Sequence, residues 1–309
     1  MTRFHNLSSG TINGFLAIFL WSTTVALARS LSEQIGPLTA AASVYMIAGI
    51  ACIAHLLFSK SKRLYIRHLP RRYVLGCGVL FVLYMLVLFL AVGLARNRNQ
   101  VLEVGLLNYL WPALTIVFSL VLLNKKAGLL LLPGTLVGLA GVVLVLTQGT
   151  SFSWQSFARN LGSNPVAYSL GLTAAVSWAL YSNLTRRWAG DEKTGAVDLF
   201  LPATGIILLM IHLLVKEHGS WNTRAVVEVG FLGVVTWLAY KLWDIAMRKG
   251  DVVLVAACSY LTPFFSTLVS CVYLKVKADV GLWMGCVLIV VGSLLSWMSV
   301  SDRQTVKPP

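Results

Sequence analysis

The chain has 309 residues, of which 57% are hydrophobic and 12% are charged, and its formal net charge is +14. A soluble globular domain carries about 25% charged residues, so this composition excludes a water-soluble fold and predicts an integral membrane protein. The basic residues stand between apolar segments, where anionic lipid head groups meet them. We therefore expect the lipid bilayer, and not nucleic acid, as the large partner.

Ten apolar segments are long enough to cross the hydrocarbon core, which takes about 20 residues of helix. The run from Ala26 to Ala28 resembles a signal-peptidase site, but a single basic residue, Arg3, precedes that apolar segment, so we count it as a span. The sequence predicts an all-α fold of ten transmembrane helices, at 11–29, 38–58, 73–95, 100–122, 129–147, 165–186, 196–215, 225–247, 252–274 and 280–300.

The basic residues are distributed unequally over the two sides of the membrane. With ten spans, the side that holds both termini carries 16 Lys and Arg and the opposite side carries 8, while Lys241 lies inside a span. Positively charged loops stay in the cytoplasm, so both termini are predicted to be cytoplasmic.

The two halves of the sequence match each other. A shift of 157 residues aligns Trp21 with Trp178 and His55 with His212, and a shift of 151 aligns three further pairs, Tyr109 with Tyr260, Pro112 with Pro263 and Gly141 with Gly292. Because each unit has five helices, an odd number, the second unit must enter the membrane from the opposite face. This predicts two inverted repeats, 1–150 and 151–309, with a site at their interface.

Aromatic residues lie deep in several spans, where lipid offers no hydrogen-bond partner to a Tyr hydroxyl or an indole N–H. Each of them alone could pack between helices, but as a set from both halves they indicate a lined central cavity. The set consists of Trp21, Tyr84, Tyr109, Trp111, Trp178, Tyr181, Trp237, Tyr240 and Tyr260.

Lys241 and Asp244 are opposite charges three residues apart inside the eighth span, so we expect them to pair. The pair is either a snorkelling lysine held by an aspartate or a cationic anchor for an anionic group of a substrate. Trp237 lies one turn before Lys241 on the same helical face.

Two prolines occupy equivalent positions within spans, and each removes a backbone hydrogen bond and opposes a carbonyl four residues back. Pro112 and Pro263 are candidate hinges, and the carbonyls of Asn108 and Ser259 together with the Asn108 side chain are candidate polar contacts. Small-residue stripes in the fifth and tenth spans predict close helix packing or, as an alternative, a dimer face, in a protein expected to be a monomer or weak dimer.

Motifs for ATP hydrolysis, serine chemistry and zinc chemistry are absent from the sequence, so no cofactor, metal site or catalytic residue is predicted. An enzyme acting on a lipid-linked substrate would need an acid/base pair or nucleophile that the spans do not offer. A subunit that only scaffolds partners is a third alternative.

In its repeat, the chain resembles the drug/metabolite transporter superfamily, specifically its ten-helix EamA-type members. In the run from Asn108 to Pro112 and in Trp178, it resembles the aromatic amino acid exporters among them. The resemblance implies a basket-like fold with a central cavity formed by helices 1, 3, 4, 6, 8 and 9, with helices 5 and 10 at the periphery. It also implies an exporter of phenylalanine, tyrosine and tryptophan in the inner (plasma) membrane, one that also passes aromatic cations such as methyl viologen.

The sequence thus predicts a secondary transporter that exports aromatic amino acids by alternating access. An exporter of other metabolites or organic cations is the closest alternative, because aromatic walls also attract cations. The predicted substrate contacts are Trp21, Tyr84, Asn108, Tyr109, Trp111, Trp178, Tyr181, Trp237, Lys241 and Tyr260.

Overall fold

The structure is a computed structural model that describes residues 8–147, 152–190, 192–215, 217, 219–274 and 280–302. The helices are α1 (Ser9–Ile35), α2 (Pro37–Phe58), α3 (Lys60–Arg67), α4 (Gly78–Gly93), α5 (Arg98–Asn108), α6 (Trp111–Leu122), α7 (Leu131–Thr147), α8 (Trp154–Ser163), α9 (Pro165–Ala189), α10 (Val197–Leu214), α11 (Thr223–Lys249), α12 (Val252–Cys258), α13 (Leu261–Leu274) and α14 (Val280–Met298). A π-helical turn, Tyr73–Cys77, leads into α4. The predicted repeat boundary between residues 150 and 151 lies outside the described residues.

The structure contains a small two-stranded sheet that the all-α prediction did not include. Strands β1 (Lys125–Ala127) and β2 (Val300–Asp302) pair antiparallel, with Lys125 opposite Asp302. They are the segments that follow α6 and α14, and pairing satisfies backbone groups where the helices have ended.

Six segments of the described chain are long and apolar enough to cross a membrane: Ser9–Ile35, Pro37–Phe58, Tyr73–Gly93, Arg98–Leu122, Val197–Leu214 and Thr223–Lys249. The apolar helices Leu131–Thr147, Val252–Ser266 and Trp283–Met298 are shorter. Each of the ten predicted spans falls on helical structure, but the count of ten crossings stays a prediction.

The helices begin where short polar side chains cap them. Ser8, Asn97, Asn164 and Asn222 each accept a hydrogen bond from a backbone N–H in the first turn of α1, α5, α9 and α11. Such caps satisfy amide groups that have no partner inside the helix. The turn between α1 and α2 needs Gly36, whose φ of 88° is unfavourable for other residues.

The spans form two groups around a common centre. One contains α1, α2, α10 and α11, and the other contains α4, α5, α6 and α9. We call the side of the bundle where α1 begins the amino-terminal side, and the side where α1 ends the far side. On the far side each group has an apolar core of its own, one around Leu31 and Leu232 and one around Val104 and Tyr168.

Helices α7 and α14 pack against each other along their lengths. Their glycines face one another: a Cβ added to Gly141 would lie 2.6 Å from the carbonyl oxygen of Gly285, and one added to Gly292 would overlap the backbone of Gly138. The close packing predicted from the small-residue stripes is therefore present, and it joins these two helices within one chain.

Candidate substrate site

A cavity of about 280 Å³ lies near the middle of the bundle, between the two helix groups. Both groups contribute to its wall, as do the break between α5 and α6 and the start of α13. The lining residues are Trp21, Thr24, Tyr84, Leu88, Asn108, Tyr109, Trp111, Trp178, Tyr240 and Thr262.

The break between α5 and α6 brings three polar or aromatic residues to the cavity, Asn108, Tyr109 and Trp111. Helix α5 ends at Asn108 and α6 begins at Trp111, with Pro112 in its first turn, where a missing N–H costs nothing. The chain is interrupted at the equivalent place between Cys258 and Leu261. Both interruptions expected from the proline pair are present, and the hinge role of Pro112 and Pro263 remains a prediction.

The carbonyl of Ser259 is not free, contrary to expectation. The backbone N–H of Thr262 donates to it at 3.0 Å, because the chain makes a tight turn before α13. The polar group that this turn presents to the cavity is instead the Thr262 side chain.

The cavity walls are aromatic rings in mutual contact. The Trp178 ring centroid lies 4.7 Å from that of Tyr84, 5.9 Å from that of Trp21 and 6.4 Å from that of Trp111. Edge and tilted contacts of this kind favour a fixed arrangement of the rings. The site is therefore a rigid aromatic wall built from both halves of the chain.

A second aromatic layer closes the cavity toward the amino-terminal side. Trp243 is fully buried, and its ring lies 5.0 Å from that of Trp21 and 5.4 Å from that of Trp111. Phe81 and Tyr181, also fully buried, pack against Trp178 at 5.9 and 4.9 Å. We call Trp243, Phe81 and Tyr181 the floor of the cavity.

Below the floor, a set of polar contacts joins α11 to the other helix group. The Asp244 carboxylate accepts hydrogen bonds from Arg248 Nε at 2.9 Å and from the Tyr73 hydroxyl at 2.7 Å. The Tyr73 hydroxyl in turn accepts from the backbone N–H of Ala196, and Arg248 donates to the carbonyl of Glu192. We call the contacts among these five residues the clasp.

The predicted pair between Lys241 and Asp244 is wrong. Arg248 stands four residues after Asp244 and Tyr73 reaches it from another helix, so this carboxylate is fully engaged. A spacing of three allows a pair but does not exclude a better partner at a spacing of four.

Lys241 does not line the cavity. It points toward α10 and α2, with its Nζ 3.8 Å from Asp198 Oδ1 and 3.1 Å from His55 Nδ1, and Lys62 also pairs with Asp198. Trp237 covers it, with the ammonium 4.8 Å from the ring centroid, as the shared face predicted. The structure therefore gives Lys241 and Trp237 a place in a charge cluster away from the cavity, and His55 belongs to that cluster too.

The residues of the cavity wall include buried polar atoms without a partner among the described residues. These are Trp21 Nε1, Asn108 Oδ1 and Thr262 Oγ1. Buried polar groups in native proteins are nearly always hydrogen-bonded, so three in one wall indicate a place where a ligand or water completes them.

A family model, described as the EamA-like transporter family, matches the chain twice, at residues 8–147 and 165–298. The chain belongs to the EamA-like transporter family.

Relatives agree with this assignment over almost the whole length. A protein of Escherichia coli (strain K12) named aromatic amino acid exporter YddG is 32% identical over 300 residues, covering 97% of this chain and 99% of the relative. A protein of the same name from Ancylobacter novellus is 33% identical over 294 residues, covering 94% and 97%. A solved crystal structure with 32% identity covers 94% of this chain and 98% of its own, with a TM-score of 0.77.

This EamA transporter brings six of the ten predicted substrate contacts to its cavity. They are Trp21, Tyr84, Asn108, Tyr109, Trp111 and Trp178. Tyr181 lies in the floor, and Tyr260 is buried on the other side of the α12–α13 turn, against Val142 and Ile289. Both residues are predicted contacts because they lie deep in their spans, and depth alone does not tell which face of a helix contacts the cavity.

The prediction missed four lining residues and two of the three floor residues. Tyr240 was recognised as a deep aromatic residue but left out of the substrate contacts, and Thr24 lies one turn after Trp21. Thr262 is the position that the shift of 151 aligns with Trp111, so the repeat could have revealed it. Trp243 lies within the predicted eighth span, so its indole carried the same signal as that of Trp237. Leu88 and Phe81 carry no sequence signal that separates them from ordinary apolar packing.

Proposed function

We propose that this transporter exports aromatic amino acids across the inner membrane by alternating access. The observation that carries the proposal is the central cavity, whose walls are aromatic rings contributed by both helix groups. Such walls suit an aromatic side chain, and the size of the cavity suits one small molecule. The names of the E. coli and A. novellus relatives support the same substrate class.

The sidedness of the proposal rests on the floor and the clasp. The floor and clasp lie between the cavity and the amino-terminal side, and from this we infer that the cavity serves the far side in this conformation. With the termini in the cytoplasm, as the basic loops favour, the conformation is the one that releases substrate outward. Export then requires a second conformation in which the clasp is broken.

The ten crossings and the inverted repeat belong to the proposal as well. Support comes from the separate family matches to the two halves and from the helix breaks at equivalent positions after Asn108 and Cys258. The cavity is complete within one chain, so a monomer suffices as the transporting unit. A weak dimer would add no residue to it.

The test is counterflow of labelled tryptophan in liposomes that contain the purified protein. Trp178→Ala and Trp111→Ala are expected to abolish counterflow, while Trp178→Phe retains part of it because the stacking surface remains. Trp154→Ala is the matched control, since that indole is 69% exposed and away from the cavity. Unchanged counterflow in both alanine variants would overturn the site.

The alternatives give different results in the same liposomes. An organic-cation exporter would be inhibited by choline-like cations as strongly as by tryptophan, because the aromatic rings would then act through cation–π attraction. A scaffold would show no counterflow, and an enzyme would convert an added lipid-linked substrate. Repeating the assay with and without a pH gradient separates facilitated from proton-coupled transport.

A further inference from the structure

The cavity that holds the proposed substrate carries no formal charge on any of its lining residues, although an amino acid brings one ammonium and one carboxylate. Lys241 is held by Asp198, and Asp244 is held by Arg248. A substrate's two charges must therefore be met by neutral hydrogen-bonding groups.

The unpartnered atoms of the wall have the required chemistry. The indole N–H of Trp21 can only donate, the amide oxygen of Asn108 can only accept, and the hydroxyl of Thr262 can do either. Thr262 is 8% exposed, so its hydroxyl is a buried group that lacks a partner within the described chain. The two donors can bind a carboxylate, which accepts hydrogen bonds, and the acceptor can bind an ammonium, which donates them.

The position of these atoms in the fold adds to the argument. Trp21 lies on α1 and Thr262 on α13, two helices that pack against each other. Asn108 lies at the end of α5, in the other helix group, where its side chain also meets the Tyr84 hydroxyl. A molecule that uses all three atoms would bridge the two groups across the cavity.

We propose that Trp21 and Thr262 bind the carboxylate and that Asn108 binds the ammonium of a zwitterionic amino acid. This inference rests on the proposed function and names the residues that bind the carboxylate and ammonium groups common to all amino acids. An analogue that lacks one of the two charges leaves a buried polar group unpaired. Its remaining charge also enters an uncharged cavity without an opposite charge beside it. A site built to hydrogen-bond a group rejects the analogue that lacks it.

The experiment measures equilibrium binding to the purified full-length protein in lipid nanodiscs, with labelled tryptophan and three unlabelled competitors. Tryptamine lacks the carboxylate, indole-3-propionate lacks the ammonium, and unlabelled tryptophan has both. We expect each analogue to compete at least about tenfold more weakly than tryptophan, as for a site whose polar groups are left unpaired.

Two variants assign the groups. Asn108→Asp places a full negative charge beside the ammonium, so labelled tryptamine is expected to bind at least about tenfold better than to the unmodified protein. Thr262→Val removes the hydroxyl but keeps the shape, so tryptophan and indole-3-propionate bind more weakly while tryptamine is unaffected. Asn222→Asp is the matched control, because Asn222 caps α11 on the surface and aspartate caps equally well.

The outcomes separate the two proposals. Failure of tryptophan to bind, together with an absence of counterflow, overturns the proposed function. Tryptophan binding with equal competition by all three compounds overturns this inference alone. Unchanged tryptamine binding in Asn108→Asp, in protein that still binds tryptophan, overturns the assignment of the ammonium to Asn108.

Discussion

The two ends of the helix bundle hold their polar side chains together in different ways. On the amino-terminal side, contacts of the clasp cross from one helix group to the other. Asp244 and Arg248 of α11 contact Tyr73 before α4 and the backbone of the segment after α9. Arg186 of α9 donates to the carbonyl of Arg248, and Lys249 donates to that of Gly190 at 2.6 Å.

On the far side, Glu228, Glu103 and Asn164 each contact residues of their own group. Glu228 of α11 accepts from Arg224 on its own helix and from Ser30 and Gln34 of α1. In the other group, Glu103 accepts from Tyr168 and Asn160, and Asn164 donates to Gln100. Because these contacts do not join the two groups, the groups can separate on this side without losing them.

Polar groups of similar chemistry therefore have different roles at the two ends of the bundle. In the proposed alternating-access mechanism, a polar contact across the two groups holds the bundle closed, whereas a contact within a group keeps that group rigid while the groups rock. Helix α11 takes part in both kinds at its two ends. Asp244, paired with Arg248, contacts Tyr73 of the other group, and Glu228, paired with Arg224, contacts Ser30 of the same group, each pair at a spacing of four. It therefore provides matched substitutions on one helix.

The largest effect is expected for Asp244→Asn. It leaves the Arg248 guanidinium, 5% exposed, without a counter-charge, and breaking a buried pair costs about 3–5 kcal/mol. We expect the amino-terminal side to open, so that the buried Cys77 thiol reacts faster with a maleimide in protein whose other cysteines are alanine. Glu228→Gln is the control, with a cost of about 1 kcal/mol and no change in Cys77 labelling.

A comparable disruption is expected from Gly195→Ala. A Cβ at this position would overlap the Asp244 carboxylate, so either this carboxylate leaves its contacts with Tyr73 and Arg248 or the segment after α9 moves away from α11. Counterflow of tryptophan and Cys77 labelling are the measurements. Gly230→Ala, with open space around its Cβ, should behave like the unmodified protein. If Gly195→Ala leaves Cys77 unreactive, the clasp is not what closes this side.

Tyr73→Phe is expected to have an intermediate effect. It removes one donor to Asp244 and the acceptor for the N–H of Ala196, at a cost of about 1–3 kcal/mol for a buried group left unpaired. The ion pair with Arg248 remains. We expect a lower unfolding temperature and a Cys77 labelling rate between those of the unmodified protein and Asp244→Asn.

The smallest effect concerns Glu217 on the far side. Burial alone would raise the pKa of Glu217, but the N–H groups of Leu38 and Thr39 donate to its carboxylate and bring the pKa below its ordinary value. The ionised carboxylate therefore stabilises the fold above the unfolded-state pKa, about 4.3, and this contribution is lost as the pH falls through the lowered pKa.

Glu217→Gln should lower the unfolding temperature slightly at pH 7, and its difference from the unmodified protein should disappear between about pH 5 and pH 3. A difference that grows on acidification would contradict the assignment. Cys77 labelling should not change, because Glu217 ties α2 to the segment after α10 within one group.

The sequence predicted well those features that depend on local composition. Apolar runs predicted the helices, Pro112 and Pro263 predicted the breaks, and the glycines of α7 and α14 predicted close packing, because each effect acts within one helix or along one face. The position of Trp21, Trp111 and Trp178 at the cavity also followed, since the repeat places both halves at one interface.

The predictions that were wrong concern which side chains contact each other. Lys241 could reach Asp244 on its own helix, but Asp198 of α10 was nearer to its ammonium, and the sequence gives no sign that α10 would bring a carboxylate there. Tyr181 and Tyr260 lie deep in the membrane as expected, yet they face packed helices instead of the cavity.

The sequence by itself determined that this chain lies in the membrane, that its halves are related and that aromatic residues gather at its centre, because hydrophobicity and repetition are properties of the chain. Only the tertiary structure decided which rings line the cavity, that Trp243 and Phe81 close its floor, and that Asp244 joins Arg248 and Tyr73. The direction in which a side chain points depends on helix rotation and on neighbours distant in sequence. These are fixed by packing between helices.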